Sequence, residues 1–472
     1  MLDFFPQYFT KRAIILYFVS IFACLLIFIG KSMAWYYYLI GGIAVLMFFV
    51  GGYTLPIKWA RFPPKTLIYN IFTVGLLIRV VWVVFSYYFY SSMNGNPFEF
   101  ETADAGNYDW LAQQLYEQGW EAYEKIMGKW GFSDRGYPTF LGASYMIYGH
   151  NVLIARLIKA VLGAWTAVLV YKLASRTFGE SVGRMAGIFC MLMPEMIYWC
   201  GIHSKEIEMV FVTTLGVERA DNAVRSRKLT FANLVMPMLC AAILFTLRSL
   251  LGVGLLFAFI TALFFMSARA GTFGNRVLLG VWIIIAIAFI GGGKILTEIE
   301  QAWNSRQMQQ EESMEWRSKR EGGNKFAVYA NNAIFAPAIF IIPLPTKVNV
   351  ASQRNLQLAH GGYFVKNVMA FFVMFALFLI VYDAIKKGNK WRDFLLVGAF
   401  MIGYLGVIAT ISGFAQSGRF HLPIMPFFIM FAAYGINQST NKVKDYYNFY
   451  LVLLFVAFII WQWYKLAGRD ML

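Results

Sequence analysis

The chain has 472 residues, of which 59% are hydrophobic, 18% aromatic and only 14% charged. A soluble globular chain carries about 25% charge, so this composition excludes an ordinary soluble enzyme and points to a membrane protein. The formal net charge of +16 is scattered over short loops rather than gathered into one basic domain; this excludes nucleic acid as the partner and favours anionic lipid and membrane orientation.

In chain order, apolar runs long enough to cross about 30 Å of hydrocarbon recur from end to end. They predict about thirteen spans, near 13–30, 34–53, 67–90, 151–178, 183–200, 206–219, 229–247, 250–267, 277–293, 367–383, 394–412, 422–437 and 447–464. The runs are too continuous for alternating barrel strands, so the expected class is an all-α polytopic membrane protein. Residues 136–149 read as an interfacial or re-entrant helix. The first run, "AIILYFVSIFACLLIFIG", lacks a small-residue cleavage site and leads straight into the second, so no cleavable signal peptide is expected. Cys24, Cys190, Cys200 and Cys240 all fall inside apolar runs and read as buried free thiols.

With the N-terminus cytoplasmic, the loops "PIKWARFPPK", "SRTFGESVGR", "ERADNAVRSRK", "SARAGTFGNR", "AIKKGNKWRD" and "NQSTNKVK" fall inside, and each carries Lys or Arg. That orientation satisfies the positive-inside rule, and the reverse violates it repeatedly. Two long non-cytoplasmic loops result, residues 91–150 and about 294–366. The second combines a charged stretch, "EIEQAWNSRQMQQEESMEWRSKR", with an interface-seeking one, "FAPAIFIIPLPTKV".

Several residues stand out along this path. Arg79 lies near the middle of its span, where a guanidinium requires a partner or a water-filled cavity. In "FEFETADAGNYDWLAQQL", Asp104, Tyr108, Leu111, Ala112 and Leu115 share one helical face. Asp104 then leads an amphipathic helix toward a cavity, or simply caps its N-terminus. Asp109, Glu99 and Glu101 read as solvated loop charges. Arg135, before Gly136 and Pro138, either presents its guanidinium from a turn or anchors the interface. Glu195, beside Pro194 inside a span, is an intramembrane carboxylate.

"HSKE", His203 to Glu206, is a polar break between two apolar runs and reads as a short connecting loop. Arg248 sits between two spans, placed either to hold a phosphate or to snorkel to headgroups. Arg419 and His421 stand at the start of a late span. The four histidines, 150, 203, 360 and 421, all map to the non-cytoplasmic side. No two of them have ligand spacing on one helix, which argues against a His-based metal site. Carboxylates and arginines thus collect at one set of span ends. An anionic lipid headgroup needs that set: cations for phosphate, a carboxylate as base, and apolar walls for the tail.

"DAGNYDWLAQQL" resembles the first outer-loop motif of the GT-C glycosyltransferases, in the branch of protein O-mannosyltransferase-like and aminoarabinose-transferase-like enzymes. The similarity continues in order through "RGYPTFLGASYMIYGHNVLIARLIKAVLGAWTAVLVYKLASRTFGESVGRMAGI", "HSKEIEMVF", "LRSLLGVGLLF" and "GRFHLPIMPFFIMFAAYGI". It covers about residues 67–280 and 415–437; residues 294–366 have no counterpart in it. Two departures stand out: Ala105 follows Asp104 where relatives often keep a second acid, and Lys205 separates Ser204 from Glu206.

The resemblance implies a GT-C-like bundle with juxtamembrane helices in two non-cytoplasmic loops. Its parts would be a two-span addition at 1–66, a catalytic core at 67–293, the loop at 294–366 and C-terminal spans at 367–472. It implies transfer of a sugar from a polyprenyl-phosphate-linked donor to a glycan, lipid or protein acceptor, with membrane lipids as surroundings, at a bacterial inner membrane and on its periplasmic or extracellular face. Asp104 would act as base, and Glu206 would orient the acceptor or help bind a metal. Arg248 and Arg419, joined by Arg135, would hold the departing phosphate, with His421 assisting. Tyr108 and Arg79 complete the substrate-binding set. Some relatives use a divalent cation, and the metal requirement is open at this point, with no other cofactor expected. The rival readings are a GT-C-like glycan polymerase or ligase, a transporter of lipid-linked sugars, and a structural subunit.

Overall fold

The computed structural model describes residues 7–29, 35–100, 103–128, 134–225, 231–265, 354–387, 393–411, 418–438 and 444–467. These form helices, with no strand among the described residues. In chain order they are α1 (Gln7–Ile27), α2 (Trp35–Lys58), α3 (Pro64–Asn94), α4 (Ala103–Met127), α5 (Gly136–Tyr148), α6 (Val152–Phe178), α7 (Glu180–Leu192) and α8 (Pro194–Tyr198). Then follow α9 (Glu206–Arg225), α10 (Phe231–Leu247), α11 (Ser249–Phe265), α12 (Arg354–Lys387), α13 (Leu395–Ile411), the single turn α14 (Gly418–His421), α15 (Met425–Gln438) and α16 (Lys444–Ala467).

Six of the described helices are long and apolar enough to cross a membrane, and four shorter apolar helices accompany them. The chain is in this sense compatible with an integral membrane protein. The count of thirteen is not reached among the described residues. The span expected at 277–293 and most of the loop at 294–366 lie outside them, as do Glu101 and the side chain of His360. The run at 183–200 is broken instead of continuous: α7 ends at Leu192, Met193 is extended, and Pro194 starts the short α8. Proline at a helix's first position ends the preceding helix and begins a new one. The expected helix at 136–149 is present as α5.

Local chemistry accounts for the helix ends. Pro64 opens α3 and Gly95 closes it at φ 71°, the left-handed conformation that glycine adopts without strain. The inward face of α3 is a single stripe, Leu67, Ile71, Gly75, Arg79, Val83, Ser86 and Tyr90, at the three- and four-residue steps that keep side chains on one side. The α6–α7 hairpin is tight because Gly183 lies directly against Ser175. Helix α2 packs on α12 and α7, α1 on α16 and α12, and α15 on α12 and α7. The N-terminal pair is therefore part of the bundle rather than an appendage.

A side chain on Gly435 of α15 would collide with the Phe372 backbone carbonyl of α12. We expect Gly435→Val to lower the melting temperature in detergent, at a cost of about 1–3 kcal/mol or more, because a backbone atom cannot rotate away.

Candidate functional site

Four of the sequence-selected residues meet at one end of the bundle. The Arg419 guanidinium, on the turn α14, donates through Nη1 to Asp104 at the start of α4 and through Nε to Glu206 at the start of α9. Arg248, between α10 and α11, brings Nη2 to 3.9 Å from Glu206 Oε1. Its guanidinium lies 4.3 Å from the centre of the Phe420 ring, and Nη1 reaches the Tyr404 hydroxyl at 3.5 Å. Tyr404 in turn donates to the Phe420 carbonyl at 3.1 Å, so α13 holds both arginine-bearing segments in place.

The two carboxylates differ in setting. Glu206 is 0% exposed, whereas the Asp104 side chain is 56% exposed. Two guanidiniums surround Glu206, which makes it an anchor for cations. Asp104 keeps access to solvent, as a group that must exchange a proton with substrate requires.

Tyr108 is buried beside this cluster, packed edge-to-face on Tyr137 at 5.2 Å. The Lys205 ammonium lies 5.8 Å above its ring. Lys205 also bonds Asp134, and donates to the Leu247 carbonyl at 2.7 Å. Burial lowers the Lys205 ammonium, and the Asp134 carboxylate opposes that shift. His421 is buried two residues beyond Arg419.

Two candidates are placed elsewhere. Arg135 bonds Glu124 at 3.2 Å and the Met127 carbonyl at 2.7 Å, so it fastens α5 to the far end of α4. Arg79 is 0% exposed, and its guanidinium donates to the carbonyls of Gly75, Met191 and Cys190 at 3.0, 3.0 and 3.1 Å. Gly75 and Gly163 leave the room it occupies: a Cβ on Gly163 would stand 2.8 Å from its Nε. Arg79 thus bonds the last carbonyls of α7, where the break before α8 leaves them without helical partners.

The reading of Asp109 and Glu99 as solvated charges is corrected. Both are buried. Asp109 accepts from the Tyr145 hydroxyl at 2.7 Å, and His150 Nε2 lies 3.1 Å from each of its oxygens. His203 Nε2 is 3.5 Å from Oδ1. Glu99 sits 3.9 Å from Arg156. The helical stripe was right for Tyr108, Leu111, Ala112 and Leu115, all buried. It missed Asp109 because α5 and the loop before α9 cover a second flank of α4.

The "HSKE" stretch is the short connection expected, but its His203, Ser204 and Lys205 are all buried. Lys159 of α6 holds that loop by donating to the Ile202 carbonyl at 2.5 Å and to the Ser204 carbonyl, and it approaches Glu208 at 3.9 Å. Sequence reasoning passed over Arg156 and Lys159. Two cations three positions apart inside an apolar run were the available signal, since such groups demand buried partners.

Burial holds the His203 imidazole well below its usual value, at about 4. Burial pushes Asp109 up, but hydrogen bonds from His203 and Tyr145 and the electrostatic attraction of His203 and His150 outweigh it and leave the carboxyl lowered. In the unfolded chain His203 titrates near 6.5, so that chain takes up a proton between pH 6.5 and 4 while the folded one does not. Stability contributed by neutral His203 is therefore complete above pH 6.5 and falls as pH drops toward 4, by on the order of 3 kcal/mol. We expect detergent melting curves to show this loss, and His203→Gln to flatten it.

The far end of the bundle is closed by a separate ionic group. Arg176 of α6 bonds Asp221 and Glu218 of α9, each at 2.8 Å, and Arg225 joins Asp221 at 2.7 Å to Asp393 at 3.2 Å. Arg184 donates to the carbonyls of Trp59, Ala60 and Phe62.

A divalent cation fits the site poorly. Among the described residues no three His, Cys, Asp or Glu side chains converge as a metal would need, and Arg419 occupies both Asp104 and Glu206. No protein-family model and no curated protein matches this chain.

Proposed function

We propose that the chain is a membrane glycosyltransferase that moves a sugar from a polyprenyl-phosphate-linked donor to an acceptor hydroxyl on the non-cytoplasmic face. The observation that carries the reading is Arg419 bridging exposed Asp104 and buried Glu206, with Arg248 behind them. A base with solvent access beside two preorganised guanidiniums suits displacement at an anomeric carbon bearing a phosphate leaving group.

In the proposed reaction Asp104 takes the proton of the acceptor hydroxyl as its oxygen bonds the anomeric carbon. The bond from that carbon to the phosphate oxygen breaks, and its electron pair leaves on the lipid phosphate. Arg419 and Arg248 offset the charge gained there. Glu206 positions both guanidiniums, and no metal step is included. The orientation rests on the Lys- and Arg-bearing loops at 56–65, 175–184 and 218–228; their described residues, up to Arg225, lie toward the end of α9 remote from Glu206.

The test is donor turnover by the full chain in proteoliposomes, offered a panel of polyprenyl-phosphate-linked sugars and scored by released polyprenyl phosphate. Asp104→Asn should lower turnover about 10²–10⁴-fold, the usual worth of a positioned base. Full activity in that variant, with loss on changing Arg419 or His421, supports a glycan polymerase or ligase instead. Movement of intact lipid-linked sugar without release supports a transporter.

A further inference from the structure

We infer that Asp104 and the donor's phosphate compete for Arg419, so that the base is masked until the donor arrives. This rests on the reading of Arg419 as a phosphate-binding residue. The resting contact is the observation behind it: one guanidinium serves two carboxylates at once, Asp104 through Nη1 and Glu206 through Nε.

The two partners are not equally able to let go. Glu206 is completely buried, its Oε2 has no hydrogen-bond partner within normal distance among the described residues, and its second cation, Arg248, stands off at 3.9 Å. Withdrawing Arg419 would strand a desolvated charge, which is strongly unfavourable. Asp104 is 56% exposed, so water replaces the lost contact at little cost. An incoming phosphate therefore displaces Asp104 and leaves the Glu206 contact in place.

Arg248 is arranged to help. Among the described residues its remaining side-chain contacts are an aromatic face and a hydroxyl 3.5 Å away, neutral groups that leave its charge available. A guanidinium with Nε committed to Glu206 still offers an Nη edge to a phosphate oxygen.

Two consequences follow for the reaction. Before the donor binds, the carboxylate that would deprotonate the acceptor is occupied by the Arg419 guanidinium. Once the phosphate takes the Nη edge, Asp104 is released within reach of the same centre. Donor binding then precedes productive acceptor binding, and the base is freed where the anomeric carbon is held.

The experiment measures binding of geranylgeranyl monophosphate to the full chain in detergent, for wild type, Asp104→Asn, Arg419→Gln and the double variant. Melting temperatures check folding. Arg419→Lys, which keeps a charge but cannot bridge both carboxylates, stands in if Arg419→Gln does not fold, and Asp104→Ala stands in likewise for Asp104→Asn. Competition predicts that Asp104→Asn tightens binding about threefold to fivefold, as suits a half-exposed ion pair. Arg419→Gln should weaken binding about tenfold or more, and the Asp104→Asn gain should vanish in the double variant.

A gain that persists undiminished without Arg419 reduces the effect to charge repulsion and overturns the competition. Unchanged or weaker binding in Asp104→Asn, with Arg419→Gln still impaired, overturns it too while leaving the phosphate site standing. Wild-type binding by Arg419→Gln, or equal affinity for inorganic phosphate in place of the lipid, overturns the lipid-donor reading itself.

Discussion

Arg419→Gln is expected to reduce sugar release about 10²–10³-fold and to destabilise the protein by about 3–5 kcal/mol. The first figure is the usual effect of removing one preorganised donor from a site where charge develops. The second follows from Glu206, which is fully buried and would keep only Arg248 at 3.9 Å; breaking one side of a buried pair leaves an uncompensated charge. The two effects separate by experiment. Arg419→Gln combined with Glu206→Gln removes both charges, so melting temperature should partly recover while release stays low. Recovery of both together would make Arg419 a structural residue only.

Arg79→Met is expected to act on stability alone. The change strips donors from the carbonyls of Gly75, Cys190 and Met191. The Gly75 carbonyl keeps its helical N–H within α3, but each of the two buried acceptors at the end of α7, left unpaired, costs about 1–3 kcal/mol. Removing a buried charge returns part of that, so a net loss of about 2–4 kcal/mol is expected. Arg79→Lys should fall between the two, because one ammonium cannot span three carbonyls held by a planar fork. Detergent melting reads the loss, and lipid-phosphate binding by the folded fraction should match wild type. Normal melting with lost binding would return Arg79 to the substrate-binding set.

Arg79 also shows what kind of inference the sequence permits. That an arginine in mid-span needs partners followed from desolvation alone, and it has them. That two of those partners are carbonyls at a helix break, with two glycines clearing the space, depends on α3, α6 and α7 packing together. Asp104 and Asp109 make the same point in opposite directions. The helical stripe placed Asp104 correctly at the head of α4, but the burial of Asp109 came from helices and loops that periodicity within α4 cannot register. His203 was read as part of an ordinary connection because a short polar stretch between apolar runs usually is one. Its burial depends on Lys159 reaching across from α6 to the loop's own carbonyls.

By itself the sequence determined an all-helical chain with apolar runs compatible with a membrane, the approximate place of the described helices, and the short list of charges worth watching. Each of these is a local property: the length of an apolar run, the step between side chains on one helix, the cost of a charge in hydrocarbon. Only the tertiary structure decided which charges meet. Asp104 and Arg419 are 315 positions apart and Glu206 and Arg419 are 213 apart. Those contacts exist because α4, α9 and α14 arrive at the same end of the bundle. A long-range ion pair leaves no periodic trace along the chain, since it is set by the packing of whole helices and not by the residues beside it.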